Sequence, residues 1–440
     1  MNALSLLLAV PLNGPWALLA LPQEESKATG LLPLIDYSGE VASRPYFSGD
    51  WGGGREQLAR KGWRFEASFT QNLFGVVEGG RDEGWRYGGK LDLFVNADLD
   101  RMGVVPGGLV SMHTESRYGN SVNGIAGSIL PVDDTLYFPL TDEPDADLGL
   151  AITELRYTQF FSKHSAMFLG KFTVLGGDVN EFAGGHGYEQ FVSHAFSNPS
   201  VAALINPYST LGTGLLVLPN SSWTITSALY CSTDSSTTTG FDTLDEGLTW
   251  STTVRGQYRL GDKPGGMSLT GQYGFDNDFV DFSGQFVHQG GLSLPLTHDT
   301  WNAYWNGWQY LHVEEDSDKP IDLSDGRLDR QGLGAFARLG IADDDTNPVD
   351  FMASAGFGGR GPFSGRDEDS WGIGYAFANV KEQAFLTGTL LDDGGNRIEA
   401  YYSFAVTPAV FLTLDAQQVD SILAGVDAAT ILGVRLRARF

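Results

Sequence analysis

One cysteine, Cys231, in 440 residues rules out an internal disulfide. Cations are scarce too: 28 Lys and Arg stand against 54 Asp and Glu, giving a formal net charge of -26. The basic residues are dispersed, so nothing here would grip a phosphate backbone, and nucleic acid is excluded as a partner. Long apolar runs are confined to residues 1–21, where Pro11 and Pro15 with Asn13 and Gly14 break the stretch before a regular helix could span a bilayer. That segment reads as a secretory signal lacking the usual early Lys or Arg. The histidines show no metal-ligand spacing on one strand face, and no nucleophile elbow is present. No enzyme activity and no metal or other cofactor is expected. No repeat of a solenoid's period is visible either.

Glycine is abundant, with 57 residues, nearly twice the usual share of roughly 7%. Alternation is equally plain. From Trp63 onward, Trp63, Phe65, Ala67 and Phe69 interleave with Arg64, Glu66, Ser68 and Thr70, so one strand face is oily and the other wet. Segments of this kind recur about sixteen times, many running to ten or more residues, the length a tilted strand needs to cross a membrane. They fall near 63–75, 87–100, 107–119, 148–161, 164–174, 210–219, 222–232 and 247–260. The rest fall near 265–277, 299–312, 331–341, 349–358, 371–381, 396–407, 409–419 and 428–440. Tight turns alternate with long connections at 120–147, 175–209 and 278–298. Only 313–330 is long where a short turn is due. Trp63, Trp223, Trp250, Tyr258 and Tyr273 share the oily parity, as an aromatic girdle requires. The pattern predicts an all-β protein, a transmembrane antiparallel β-barrel of about sixteen strands over 63–440. A short amphipathic helix, Glu56–Lys61 with Asp50 as N-cap and Gly62 as stop, lies in a segment over 45–62, and a linker spans 22–44.

"GDWGGGREQLARKG" followed by a strand resembles the entry segment of the carbohydrate-selective porin family of bacterial outer membranes, the OprB type. "SRYGNSVN", "ITELRYTQFF", "LGKFTVLGGDVNEFAGG", "STLGTGLLVLPN", "NAYWNGWQYL" and "ATILGVRLRARF" look like that family in its own order, over roughly residues 45–440. The resemblance implies a sixteen-stranded outer-membrane barrel that lets sugars diffuse into the periplasm. Its helix lies at the periplasmic mouth. Expected partners are carbohydrates, outer-membrane lipids and lipopolysaccharide, and the barrel assembly machinery. Leu436 and Phe440, on the alternation of the closing strand, are expected to carry the assembly signal.

A neutral sugar offers hydroxyls and apolar C–H faces, so its path calls for charged hydrogen-bonding groups and aromatic rings. On the wet parity, Glu115 and Arg117 share one strand, Glu154 and Arg156 the next, and Lys171 a third. The long connection after Lys171 brings Asp178, Glu181, Tyr188, Gln190 and Phe191, and its length suggests a segment folded into the lumen. These ten residues are the expected constriction. Each has a plainer reading, as wall pairs for Glu154 and Arg156, or as an anchoring foot for Tyr188 and Phe191. The acidic runs at 142–147, 314–325, 343–345 and 366–369 are candidates for loop-bound Ca2+ or for simple solvated charge. The competing functional classes are a general or cation-selective pore, a barrel hydrolase and a closed structural barrel.

Overall fold

Alternating polarity settles which face of each strand points out of the barrel. The computed structural model describes residues 30–440 apart from 142–145, 175–178, 284–286, 289–290, 293–294, 315–327, 329, 381–394 and 424. In chain order the strands are β1 Trp63–Glu78, β2 Gly84–Asp98, β3 Gly108–Gly119, β4 Leu148–Ser162, β5 Ser165–Thr173, β6 Ser209–Asn220, β7 Trp223–Cys231, β8 Leu248–Leu260 and β9 Lys263–Val280. Two short strands, β10 Val287–His288 and β11 Gly291–Leu292, pair with each other in a connection. The set continues with β12 Leu296–Val313, β13 Gly332–Ala342, β14 Val349–Arg360, β15 Ser370–Val380, β16 Asn396–Thr407, β17 Val410–Val419 and β18 Ala429–Arg439. Sixteen of them form one closed antiparallel barrel, sealed where β1 meets β18 with Phe69 opposite Ala438 and Asn72 opposite Arg435.

The barrel is oily outside and polar inside. Leu269 and Trp250 are 58% and 55% exposed on the outer parity, whereas Arg435 and Glu115 on the inner one are 1% and 0% exposed. That inversion of a soluble core is what a bilayer demands. Trp63, Trp223, Trp250, Tyr258 and Tyr273 all stand exposed on the outer face.

The two ends of the barrel differ. At one end the connections 163–164, 221–222, 261–262 and 408–409 are two residues each. At the other lie the long connections 120–147, 174–208 and 232–247. The connection 314–331 joins strand ends at the short-turn end, and of its described residues Leu328 donates its N–H to Glu181 at 2.6 Å.

The entry segment caps the short-turn end at the seam. A 3-10 turn, Trp51–Gly53, runs into helix α1, Gly54–Arg60, which therefore starts two residues before the expected Glu56. Asp50 bonds the Glu56 N–H at 2.9 Å, while Gly53 holds the N-cap position. Gly62 follows the helix with φ 93°, a left-handed stop that suits glycine. The entry segment is docked at Leu31, Leu32 and Tyr37: the N–H groups of Leu31 and Leu32 both donate to Asp98, at 2.6 and 2.9 Å, and Tyr37 is 2% exposed. Leu436 faces outward at 38% exposure, and the ring of Phe440 packs edge-on against Phe47 at 5.6 Å.

Candidate functional site

The apolar core of this protein lies inside the barrel, between the 174–208 connection and one wall. Phe182, Phe191 and Phe196 from the connection pack with Trp308, Tyr310, Phe336 and Tyr401 from β12, β13 and β16. Burying each phenylalanine contributes roughly 1.5–3 kcal/mol. The wall opposite these rings is kept thin by glycine. A Cβ at Gly374 would lie 2.6 Å from the Phe196 ring, and one at Gly372 2.9 Å from Phe191, so side chains there would push the loop off the wall.

Polar staples fix the same loop. Arg338 donates to the carbonyls of Phe196 and Ala183, at 2.5 and 2.6 Å. Arg435 donates to the carbonyls of Gly187 and Gln190, the latter at 2.9 Å. Glu399 accepts the N–H groups of Val192 and Ser193, at 2.5 and 3.0 Å. Hydrogen bonds to charged groups are worth roughly 1.5–3 kcal/mol each, so the staples rival the rings. Arg397 then ties this loop to the 120–147 connection, donating to Ser193 at 3.1 Å and Ser128 at 2.8 Å.

Between the two inner connections sits a compact polar junction. His194 is 2.8 Å from Asp134, and the hydroxyl of Ser197 donates to the same carboxylate at 2.8 Å. Although burial opposes it, His194 holds Asp134 below its ordinary value. Burial also pushes neighbouring Asp133 up to about 6, against the pull of a 2.8 Å bond from Asn72. The serine faces the acid rather than the imidazole, so this Asp–His–Ser set has no nucleophile–base contact and does not support the hydrolase reading.

The tip of the 174–208 connection reaches the lumen. Gly185, His186 and Gly187 have φ of 79°, 49° and 76°, three left-handed residues in a row, of which only His186 carries the strain of a side chain there. Burial pushes its imidazole down to about 4, opposed by Asp134. Gly185, His186, Tyr188 and Glu189 are half-buried, while Gly184, Gly187 and Gln190 are covered. The Tyr188 ring takes Lys90 at 5.3 Å and Arg437 at 5.6 Å, its hydroxyl reaches Asp92 at 3.3 Å, and Glu189 pairs with Arg437.

The other expected constriction residues are placed as follows. Glu115 pairs with Lys90 at 2.5 Å and accepts the Tyr208 hydroxyl at 2.7 Å. Arg117 shares its face but turns away, donating to the carbonyls of Leu136 and Tyr137 at 2.7 and 2.8 Å and to Thr141 at 3.0 Å. It braces the 120–147 connection. Glu154 and Arg156 pair with each other at 3.1 Å in the wall. Lys171 does not join that group: it stands in register with the outward-parity residues Leu155 and Leu211, and its ammonium donates to the Thr238 carbonyl at 2.7 Å. Glu181 accepts the Tyr310 hydroxyl at 2.5 Å. Gln190 accepts the Gly184 N–H at 2.5 Å, and Phe191 is 0% exposed in the aromatic foot. Asp178 lies outside the described residues, as do 142–145 and 315–325 of the acidic runs. Asp369 pairs with Arg366 at 2.7 Å, and Asp343, Asp344 and Asp345 gather their carboxylates within 4.8 Å. Asp92, His113 and Glu115 also converge, with the Lys90 ammonium supplying positive charge beside them. Lys90, Arg435, Arg437 and Glu399 join the site without having been expected there, and their wet parity is the signal that could have found them.

Charge is unevenly spread along the axis. In the connections 79–83, 232–247, 281–295, 343–348 and 420–428 the described charged residues are Asp and Glu apart from Arg81 and the titratable His288. Lumenal charges, by contrast, are of both signs, some in ion pairs and others bonded to backbone and hydroxyl groups.

A family model described as carbohydrate-selective porin, OprB family, matches residues 82–440. The high-pH structure of Pseudomonas putida OprB is similar at 20% identity, covering 92% of this chain and 100% of that one with a TM-score of 0.75. The low-pH structure of the same protein is similar at 17% identity, covering 91% and 99% with a TM-score of 0.57. Comparison with curated proteins gives no match.

Proposed function

The chain belongs to the OprB family of carbohydrate-selective porins, and from that premise we propose how this outer-membrane barrel passes its solutes. Carbohydrates cross by passive diffusion, with monosaccharides and small oligosaccharides as the size class. In such barrels short turns face the periplasm and long loops the exterior, so the acidic end is the outer mouth and α1 lies at the inner one. The observation that carries the reading is the stapled inner loop. Rings together with Arg338, Arg435 and Glu399 hold it against the wall, so it narrows the lumen without closing it on a mobile hinge.

At the narrowing, His186, Tyr188 and Glu189 present a neutral imidazole, a phenol whose ring is shared with Lys90 and Arg437, and a paired carboxylate. Such a lip offers donors and acceptors with little net charge, which suits a polyol better than an ion. The acidic outer mouth concentrates cations, so residual ion current favours them at low salt. Leu436 and Phe440 serve recognition by the barrel assembly machinery, while the oily outer face meets lipid and lipopolysaccharide. Catalysis has no part in this reading.

Liposome swelling tests it. Reconstituted protein is expected to admit glucose-sized solutes faster than larger oligosaccharides without an energy source. Swelling in glucose no faster than in protein-free liposomes would sink the proposal.

A further inference from the structure

One sector of the wall lies away from the loop tip. In the order of the barrel, β8 and β9 lie across the lumen from β1, near which the loop tip is fixed by Arg435, Arg437 and Asp92. The 174–208 connection touches this far sector through Ile205 and Asn206. The Ile205 carbonyl accepts the Thr249 hydroxyl at 3.0 Å, and the Asn206 amide accepts Tyr230 at 2.6 Å and Gln272 at 2.9 Å.

One or two register steps below those contacts, four neighbouring strands each turn a hydroxyl into the lumen at the same level. Thr226 of β7 stands opposite Thr253 of β8, Thr253 opposite Thr270 of β9, and Thr270 opposite Tyr304 of β12. The Thr253 and Thr270 oxygens are 2.8 Å apart. Thr226, Thr253 and Tyr304 are partly exposed, Thr270 is buried between them, and part of the Tyr304 ring packs against the aromatic cluster. The row carries no charge. Arg255 is the next lumenal residue on β8, and elsewhere on the inner wall charged groups are engaged, Lys90 with Glu115, Arg156 with Glu154, Arg437 with Glu189, and Arg338 and Arg435 with loop carbonyls.

A hydroxyl both donates and accepts and turns about its bond, so a row of them exchanges hydrogen bonds with a sliding polyol without trapping it. A tyrosine ring adds an apolar face for the C–H side of a pyranose. We propose that Thr226, Thr253, Thr270 and Tyr304 form a sugar track for neutral mono- and disaccharides, facing the loop tip across the lumen. The inference rests on the porin reading above and adds the surface that recognises the solute.

Sugar block of ion current through the full-length protein in planar bilayers tests it, with glucose and maltose as probes. The double variant Thr226→Val, Thr253→Val removes two hydroxyls at nearly constant shape. The half-blocking concentration is expected to rise roughly two- to tenfold per hydroxyl lost, with conductance in salt alone unchanged. Thr253→Ser, which keeps the hydroxyl, is expected to block like the wild type. Unchanged block in a normally conducting double variant overturns the track and moves recognition to the loop tip. If the double variant does not assemble, Thr253→Ala alone is read by the same criterion. A wild-type pore that passes no glucose in liposome swelling is the separate failure of the porin reading.

Discussion

Lys90 and Glu115 meet at 2.5 Å across β2 and β3, diagonally rather than in direct register, and neither is more than 1% exposed. The carboxylate also receives Tyr208 from the end of the inner loop, so one acid joins two wall strands to the constriction. Removing it would leave a buried ammonium without its anion, which costs roughly 3–5 kcal/mol. Glu115→Gln is therefore expected to lower the heat-modifiable, assembled fraction markedly. Glu115→Gln with Lys90→Met should recover much of it. Equal loss in the single and double variants would show that the pair does not hold the wall.

Arg117 acts on a loop rather than on a solute. Its guanidinium holds Leu136, Tyr137 and Thr141 of the 120–147 connection. Arg117→Ala is expected to leave the sugar half-blocking concentration within about twofold, because each lost bond worth roughly 1.5–3 kcal/mol falls on the loop instead. Limited proteolysis should cut the 120–147 connection faster in the variant. Weakened sugar block with unchanged proteolysis would restore Arg117 to the solute path.

Much of this architecture is legible in the order of the amino acids. Period-two patterning marks all sixteen barrel strands, because a bilayer outside and water inside force every residue of a strand to one of two fates. Parity also puts Glu115, Arg117, Glu154 and Arg156 on the lumenal face. It does not reveal that inner loops cover them, because contacts such as Glu399 to Val192 span 207 residues and leave no local trace. Lys171 departs from its expected face. It stands two residues after outward-facing Leu169 with the register unbroken through Gly170, so strict alternation puts it on the outer parity, and its charge, not its parity, suggested the lumen.

Acidification should act first at the loop tip. Burial holds the His186 imidazole near 4, well below its ordinary 6.5, so the folded state resists its protonation. A depressed histidine contributes stability that is intact above about 6.5 and is lost as pH falls from there toward 4. Asp133, pushed up to about 6, works the opposite way: its ionisation opposes the fold as pH rises from about 4 to 6. The two windows overlap, so a substitution separates them. In the wild type, open-channel noise is expected to grow between pH 6.5 and 4. In His186→Asn, which tolerates the left-handed backbone without titrating, that growth should disappear. Identical pH profiles in the two proteins would remove His186 from the explanation.

At the short-turn end of the seam where the barrel closes, a buried cation ties the entry segment to both closing strands. Arg55, 2% exposed, lies 3.7 Å over the Tyr37 ring and 4.7 Å from that of Tyr46, and donates to the carbonyls of Phe65 at 2.6 Å and Phe440 at 3.1 Å. It thus joins the docked entry segment to the start of β1 and the residue after β18. A lysine there would keep the charge but lose the planar fork that stacks and bonds at once. Arg55→Lys is expected to destabilise the barrel by roughly 1–3 kcal/mol, the worth of one or two charge-assisted bonds, and Arg55→Ala by more. The measurement is the urea midpoint for loss of heat-modifiable mobility. The double variant Tyr37→Leu, Arg55→Lys should be little worse than Arg55→Lys alone, because the two residues share one interaction. Additive losses would mean that the ring and the guanidinium stabilise the seam independently. A midpoint unmoved in Arg55→Ala would mean that the entry segment merely rests on the barrel.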